Sequence, residues 1–199
     1  MEQRAALLRL YQDVEEATGA FQKGQPLSRC DHGCADCCRS KPPLVSRQEA
    51  MLVRDAVEAL PEDTRDAVRL RARASALQLA QGRRADFVCP LLLEGPDGGR
   101  CAVYQDRPYT CRTFGHTARV ADDTAAPQPF TCGRLHARVG RFQPPPVPFR
   151  SEAVREVLGS ALLEDSYLPV WVGLDPDEWF TVETGPHSRV VVGRPRELR

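Results

Sequence analysis

The sequence predicts an α+β fold, mainly helical in its N-terminal half, and three observations carry that expectation. Apolar residues recur at helical spacing in two successive stretches before Pro61, and a third helix is expected between Pro61 and Gly82. Two short strand-like runs flank the turn Glu94-Gly-Pro-Asp-Gly-Gly99. Further β-like runs lie near the C-terminus, at 168–172 and 188–192.

The first helix is expected over residues 3–22, where Ala6, Leu7, Leu10, Tyr11, Val14 and Ala17 mark one face. Gly24 and Pro26 end it, and a cysteine loop follows. Ser46-Arg-Gln-Glu49 is a capping-box pattern opening a second helix that runs through Leu60. Pro61 breaks that run, and a third helix is expected from Glu62 to Gln81, with Gly82 as its stop. Asp86 to Leu93 and Arg100 to Tyr104 form the arms of a hairpin, so that Cys89 and Cys101 sit on facing strands. Pro108 suits the first position of a short helix. Residues 119–130 read as loop, and 143–148 (Gln-Pro-Pro-Pro-Val-Pro) as a stiff connector. Ser151 caps a helix through Leu163. Tyr104 and Phe114 read as core, and Trp171 and Trp179 as packing anchors. The expected organisation is a cysteine domain over 1–142, a connector at 143–148 and a C-terminal segment over 149–199 packed on the same domain.

A chain of 199 residues buries roughly 70% of its unfolded surface, so cysteines are not needed merely as staples. Net charge is zero, which gives no general pull toward nucleic acid or membrane. The N-terminus has no apolar stretch of signal length, and no run approaches the ~20 apolar residues of a membrane span. A cytoplasmic protein is therefore expected, in a compartment where thiols stay reduced and ligate metal rather than form bridges.

The eight cysteines dominate the chemistry. Cys30, Cys34, Cys37 and Cys38 lie within nine residues; Cys89, Cys101, Cys111 and Cys132 follow. Thiolates are soft anionic ligands, and several at short spacing converge on one metal ion or cluster. Cys30, Cys34 and Cys37 have the spacing that holds the cluster in radical SAM enzymes, on a chain too short for their barrel. Adjacent side chains usually diverge, so Cys37 and Cys38 are expected to serve different sites or roles. Eight ligating thiolates would make two four-cysteine sites; one site with spare buried thiols is the alternative. His32, His116 and His136 are lesser ligand candidates, and His187 lies far from any cysteine. Arg29, Arg39, Arg100, Arg107 and Arg112 lie close to cysteines and suit compensation of thiolate charge.

These elements resemble the YkgJ-type cysteine-cluster family, a zinc- or iron-chelating (CxxCxxCC) domain. The resemblance runs through Cys30, Cys34-x-x-Cys37-Cys38, Cys89-Pro90-Leu91, Cys101-x-Val-Tyr104-x-x-Arg107-Pro108-x-x-Cys111-Arg112-x-Phe114 and Cys132. The first spacing here is three residues where the family's name has two. The resemblance implies metal binding by these cysteines, with no assigned biological role. A similar segment occurs in flagellin lysine methylases, but nothing here resembles a methyl-donor pocket.

The expectation is a metal-binding protein that takes zinc or an iron–sulfur cluster, since residue type admits both; the three-cysteine spacing leans slightly to the cluster. Two alternatives stand beside it: an iron–sulfur enzyme modifying a protein side chain or small molecule, and a thiol redox protein. No phosphate loop, serine-hydrolase elbow or zinc-protease motif is present. The sequence names no protein partner.

Overall fold

A computed structural model describes residues 2–24, 26–28, 30, 33–39, 42–81, 83, 87–113, 132, 134, 166–174, 179–185 and 188–193. The expectations at Gly82, Phe114, 119–130, 143–148 and 151–163 lie outside these residues. The α+β expectation holds. The chain divides into two compact units, Met1–His32 with Tyr109–Ser160, and Gly33–Pro108 with Ala161–Arg199.

In the first unit, helix α1 (Glu2–Gly24) buries Leu7, Leu10, Tyr11 and Val14. That 3-4 spacing is the stripe read from the sequence. A 3-10 turn follows at Pro26–Ser28.

The second unit opens on the cysteine loop, whose Asp36–Arg39 segment is a 3-10 turn. Strand β1 (Leu44–Val45) leads into α2 (Arg47–Glu58). The Ser46 capping box forms as expected: the Ser46 hydroxyl accepts from the Glu49 N–H, and Glu49 Oε2 accepts from the Ser46 N–H at 3.1 Å. Both residues are buried. Helix α3 (Glu62–Ala80) buries Val68, Ala72 and Ala76, each one turn from the next. The hairpin β2 (Leu92–Gly95) and β3 (Gly98–Cys101) pairs Leu92 with Cys101 and Gly95 with Gly98.

The hairpin arms are shorter than expected. Pro90 has no N–H to give a ladder, and Cys89-Pro-Leu-Leu92 instead closes a turn, the Leu92 N–H reaching the Cys89 carbonyl at 3.0 Å. Cys89 therefore precedes the strand rather than facing Cys101 across it. Tyr104, in a 3-10 turn over Tyr104–Asp106, is 52% exposed and is not core.

The run 168–172 was expected as strand and is helix. Strand β4 (Ser166–Tyr167) pairs antiparallel with β1, and the chain then turns into a further short helix, Leu168–Gly173. Pro169 fixes a helical φ where the first N–H groups need no partner, and a five-residue apolar run carries no period to tell strand from helix. Its tight seat on α3 has a visible cause: a Cβ at Gly173 would stand 2.3 Å from the Arg73 nitrogen. Arg54 holds the other side, donating to the Trp171 carbonyl at 2.7 Å and the Leu174 carbonyl at 3.1 Å.

The C-terminal strand expected over 188–192 is present within β6 (Ser188–Gly193). It pairs with β5 (Trp179–Gly185), a strand the sequence reading did not anticipate.

Trp171 is fully buried, in one cluster with Val53, Val57, Val68, Leu91 and Val103. Trp171→Ala is expected to cost about 3–5 kcal/mol, since so large a void does not collapse. Urea denaturation measures it; a loss under about 1 kcal/mol would show that the site repacks.

Candidate metal centre

The cysteines divide between the two units. Cys34, Cys37, Cys38, Cys89 and Cys101 belong to the second, and Cys30, Cys111 and Cys132 to the first. All eight are present as thiols. In the first unit Cys30 is exposed, Cys111 half-buried and Cys132 buried. His32, His116 and His136 lie outside the described residues.

In the second unit, backbone geometry assembles the thiols from three separate segments. The first is the loop at Gly33–Arg39. Gly33 has φ +74, a left-handed conformation that glycine adopts without penalty. The Cys38 N–H closes onto the Ala35 carbonyl at 2.9 Å, which tightens the turn bearing Cys37 and Cys38. The second segment is the Cys89 turn, whose N–H donates to the Cys38 carbonyl at 2.7 Å. Arg71 of α3 fixes that turn from the other side, two of its N–H groups reaching the Pro90 carbonyl at 2.9 and 3.2 Å.

The third segment is the hairpin. Its Gly99 N–H donates to the Gly33 carbonyl at 2.9 Å. A Cβ on Gly33 would fall 2.1 Å from the Asp97 carbonyl oxygen, and one on Gly98, itself at φ +102, would fall 2.5 Å from the Gly33 carbonyl oxygen. Two glycine backbones thus lie directly against each other, and this contact sets the hairpin, with Cys101 at the end of β3, onto the cysteine loop. On the exposed side Arg39 pairs with Glu94 at 2.6 Å.

The result is a connected group of four thiols. Cys37 is hydrogen-bonded to Cys38, and Cys38 in turn to Cys89. Cys101 lies within electrostatic range of both Cys37 and Cys38. The neighbouring thiols of Cys37 and Cys38 therefore meet, where divergence was the expectation. The contacts are pairwise: among the described residues no group of three or more His, Cys, Asp or Glu side chains is placed to hold a metal ion.

The electrostatics follow from crowding. The hydrogen bond to Cys38, with burial, pushes the Cys37 thiol far up. For Cys38 the hydrogen bond to Cys37 lowers the pKa, but the bond to Cys89, burial and the charges of Cys89 and Cys101 outweigh it, leaving about 12. Burial raises Cys101, against a smaller lowering by the Val103 backbone and Arg107. Arg107 is held over the Tyr104 ring at 3.9 Å.

Four sulfur donors, one buried and three half-buried, are of the type that zinc and iron both take. A bound cation would favour the thiolate forms, because its charge outweighs both their mutual repulsion and the cost of burying them. The sequence singled out these thiols by type. It did not single out Gly98 and Gly99, read only as turn residues, though two consecutive glycines after Pro-Asp were the available signal.

No helix of the described residues is long and apolar enough to cross a membrane. No curated protein and no solved structure matches the chain. Residues 29–133, just over half of the chain, match the CxxCxxCC family, described as "Putative zinc- or iron-chelating domain". The matched span contains all eight cysteines. By that match the chain belongs to the CxxCxxCC family of zinc- or iron-chelating domains, and its partner is a metal ion.

Proposed function

We propose that this is a cytoplasmic metal-binding protein in which Cys30, Cys34, Cys37, Cys38, Cys89, Cys101, Cys111 and Cys132 are the ligands of zinc or an iron–sulfur cluster. The observation that carries the proposal is the hydrogen-bonded chain Cys37–Cys38–Cys89, with Cys101 within electrostatic range, drawn from three chain segments. Cys34 lies on the same loop as a further donor. When bound, the metal supplies positive charge and a covalent-strength tie between the segments. The chain's own part is to release the thiol protons, to hold the cysteine loop, the Cys89 turn and the hairpin at fixed separation, and to balance charge through Arg107.

Metal analysis of protein purified without oxygen tests this. Stoichiometric zinc or iron is expected, and Cys38→Ser and Cys89→Ser are each expected to lower it severalfold. Near-zero zinc and iron in a folded protein would overturn the proposal.

The thiol redox alternative is disfavoured by the same geometry. A redox cysteine works as an exposed thiolate of low pKa, whereas crowding and burial push Cys37, Cys38 and Cys101 upward.

A further inference from the structure

We infer that Arg112 is the positioning residue for Cys111, fixing the short helix that bears this thiol against α1; the inference rests on the ligand role proposed for Cys111. Helix α4 (Tyr109–Thr113) has five residues. A helix so short is not held by its own hydrogen bonds and needs an external anchor. Arg112 provides one. It is only 5% exposed, yet its charge is permanent. Its guanidinium is ion-paired with Glu15 of α1 and lies 4.1 Å from the centroid of the Tyr11 ring.

Tyr11 and Glu15 are one turn apart on α1 and present one face. A planar guanidinium that both stacks on the ring and pairs with the carboxylate is fixed in position and in tilt. Leucine or methionine would fill the same space at lower desolvation cost; the arginine adds direction. Successive residues of a helix point about 100° apart, so holding Arg112 on α1 sets where the Cys111 sulfur is aimed. The adjacent Thr113 hydroxyl donates back to the Tyr109 carbonyl at 3.0 Å and tightens the same turn.

The test uses the full chain loaded with cobalt(II), whose thiolate charge-transfer absorption grows with each coordinated sulfur, alongside metal affinity by chelator competition. Cys111→Ser calibrates the loss of one thiolate. Arg112→Gln is expected to weaken affinity about 10- to 100-fold and to reduce charge-transfer intensity, as a displaced supporting residue does. Arg112→Lys, which keeps the charge but not the planar fork, should fall between. Glu15→Gln, a near-isosteric change, gives the same readout should Arg112→Gln not fold. A purely structural role would lower the melting temperature while leaving the spectrum of the folded protein unchanged. Wild-type intensity and affinity in folded Arg112→Gln or Glu15→Gln, with both reduced in Cys111→Ser, would overturn the inference alone. Wild-type behaviour of Cys111→Ser would overturn the ligand role and the inference together.

Discussion

Gly98→Ala is expected to destabilise the protein by about 2–5 kcal/mol and to strip metal from what remains folded. Two costs add at this residue. Its φ of +102 lies where side chains other than hydrogen are strained, worth about 1–2 kcal/mol. The new methyl would also stand 2.5 Å from the Gly33 carbonyl oxygen, and forcing apart packed backbone costs about 1–3 kcal/mol more. Because stability totals only about 5–15 kcal/mol, this is a large share. The chemical effect follows from the mechanical one, since lifting the hairpin moves Cys101 away from Cys37 and Cys38. Gly95→Ala in the same hairpin is the control: its Cβ would meet only the Gly98 carbonyl, at 3.7 Å, an ordinary contact. It should change stability by about 1 kcal/mol or less. Denaturation curves and metal content of the two variants decide the matter. Equal behaviour would show that the glycine contact does not set the geometry.

Metal removal is expected to have an effect at least as large. Structural zinc sites contribute about 10–16 kcal/mol of apparent binding free energy at neutral pH, more than the margin by which most domains are stable. Treatment with a strong chelator should therefore lower the melting temperature steeply or unfold the second unit outright. The pH dependence has a definite sign. Cys38 is displaced from 9.0 to about 12 in the fold. A thiol that is protonated in both states below pH 9 gives no slope there. Above it the unfolded chain loses protons that the folded chain keeps, so the stripped protein loses stability as pH rises from about 9 toward 12. The loaded protein runs the other way: binding displaces thiol protons, so affinity falls as pH is lowered. Calorimetry in buffers of different ionisation enthalpy should show about four protons released per ion bound at the four-thiol group. Release of none would mean that these thiols do not ligate.

The helices were readable because their cause is local. The Ser46–Glu49 box and the stripe of α1 follow from side-chain spacing alone, and α3 from the breaker Pro61 that precedes it. The helix at Leu168–Gly173 was not readable, because a short apolar run has no period to separate strand from helix and its seat against α3 at Gly173 is a contact of residues about a hundred positions apart. The same distinction governs the site. The cysteines stood out as donor candidates from residue type and spacing. Their division into five and three, and the contact that brings Cys101 to Cys38, depend on which distant backbones touch. Tyr104 was misread for a related reason: an aromatic ring beside a cysteine motif looks like core, but here it serves as the exposed platform on which Arg107 lies.

The crossing of two glycine backbones also bears on how this protein can be handled. The tip of a surface hairpin is ordinarily a permissive place to splice in an epitope or a fluorescent label. Here the carbonyl of Asp97 sits against Gly33, so the tip, although exposed to solvent, behaves as a seated joint. A peptide inserted between Pro96 and Asp97 would pry the hairpin off its seat, and reporters belong elsewhere on the chain.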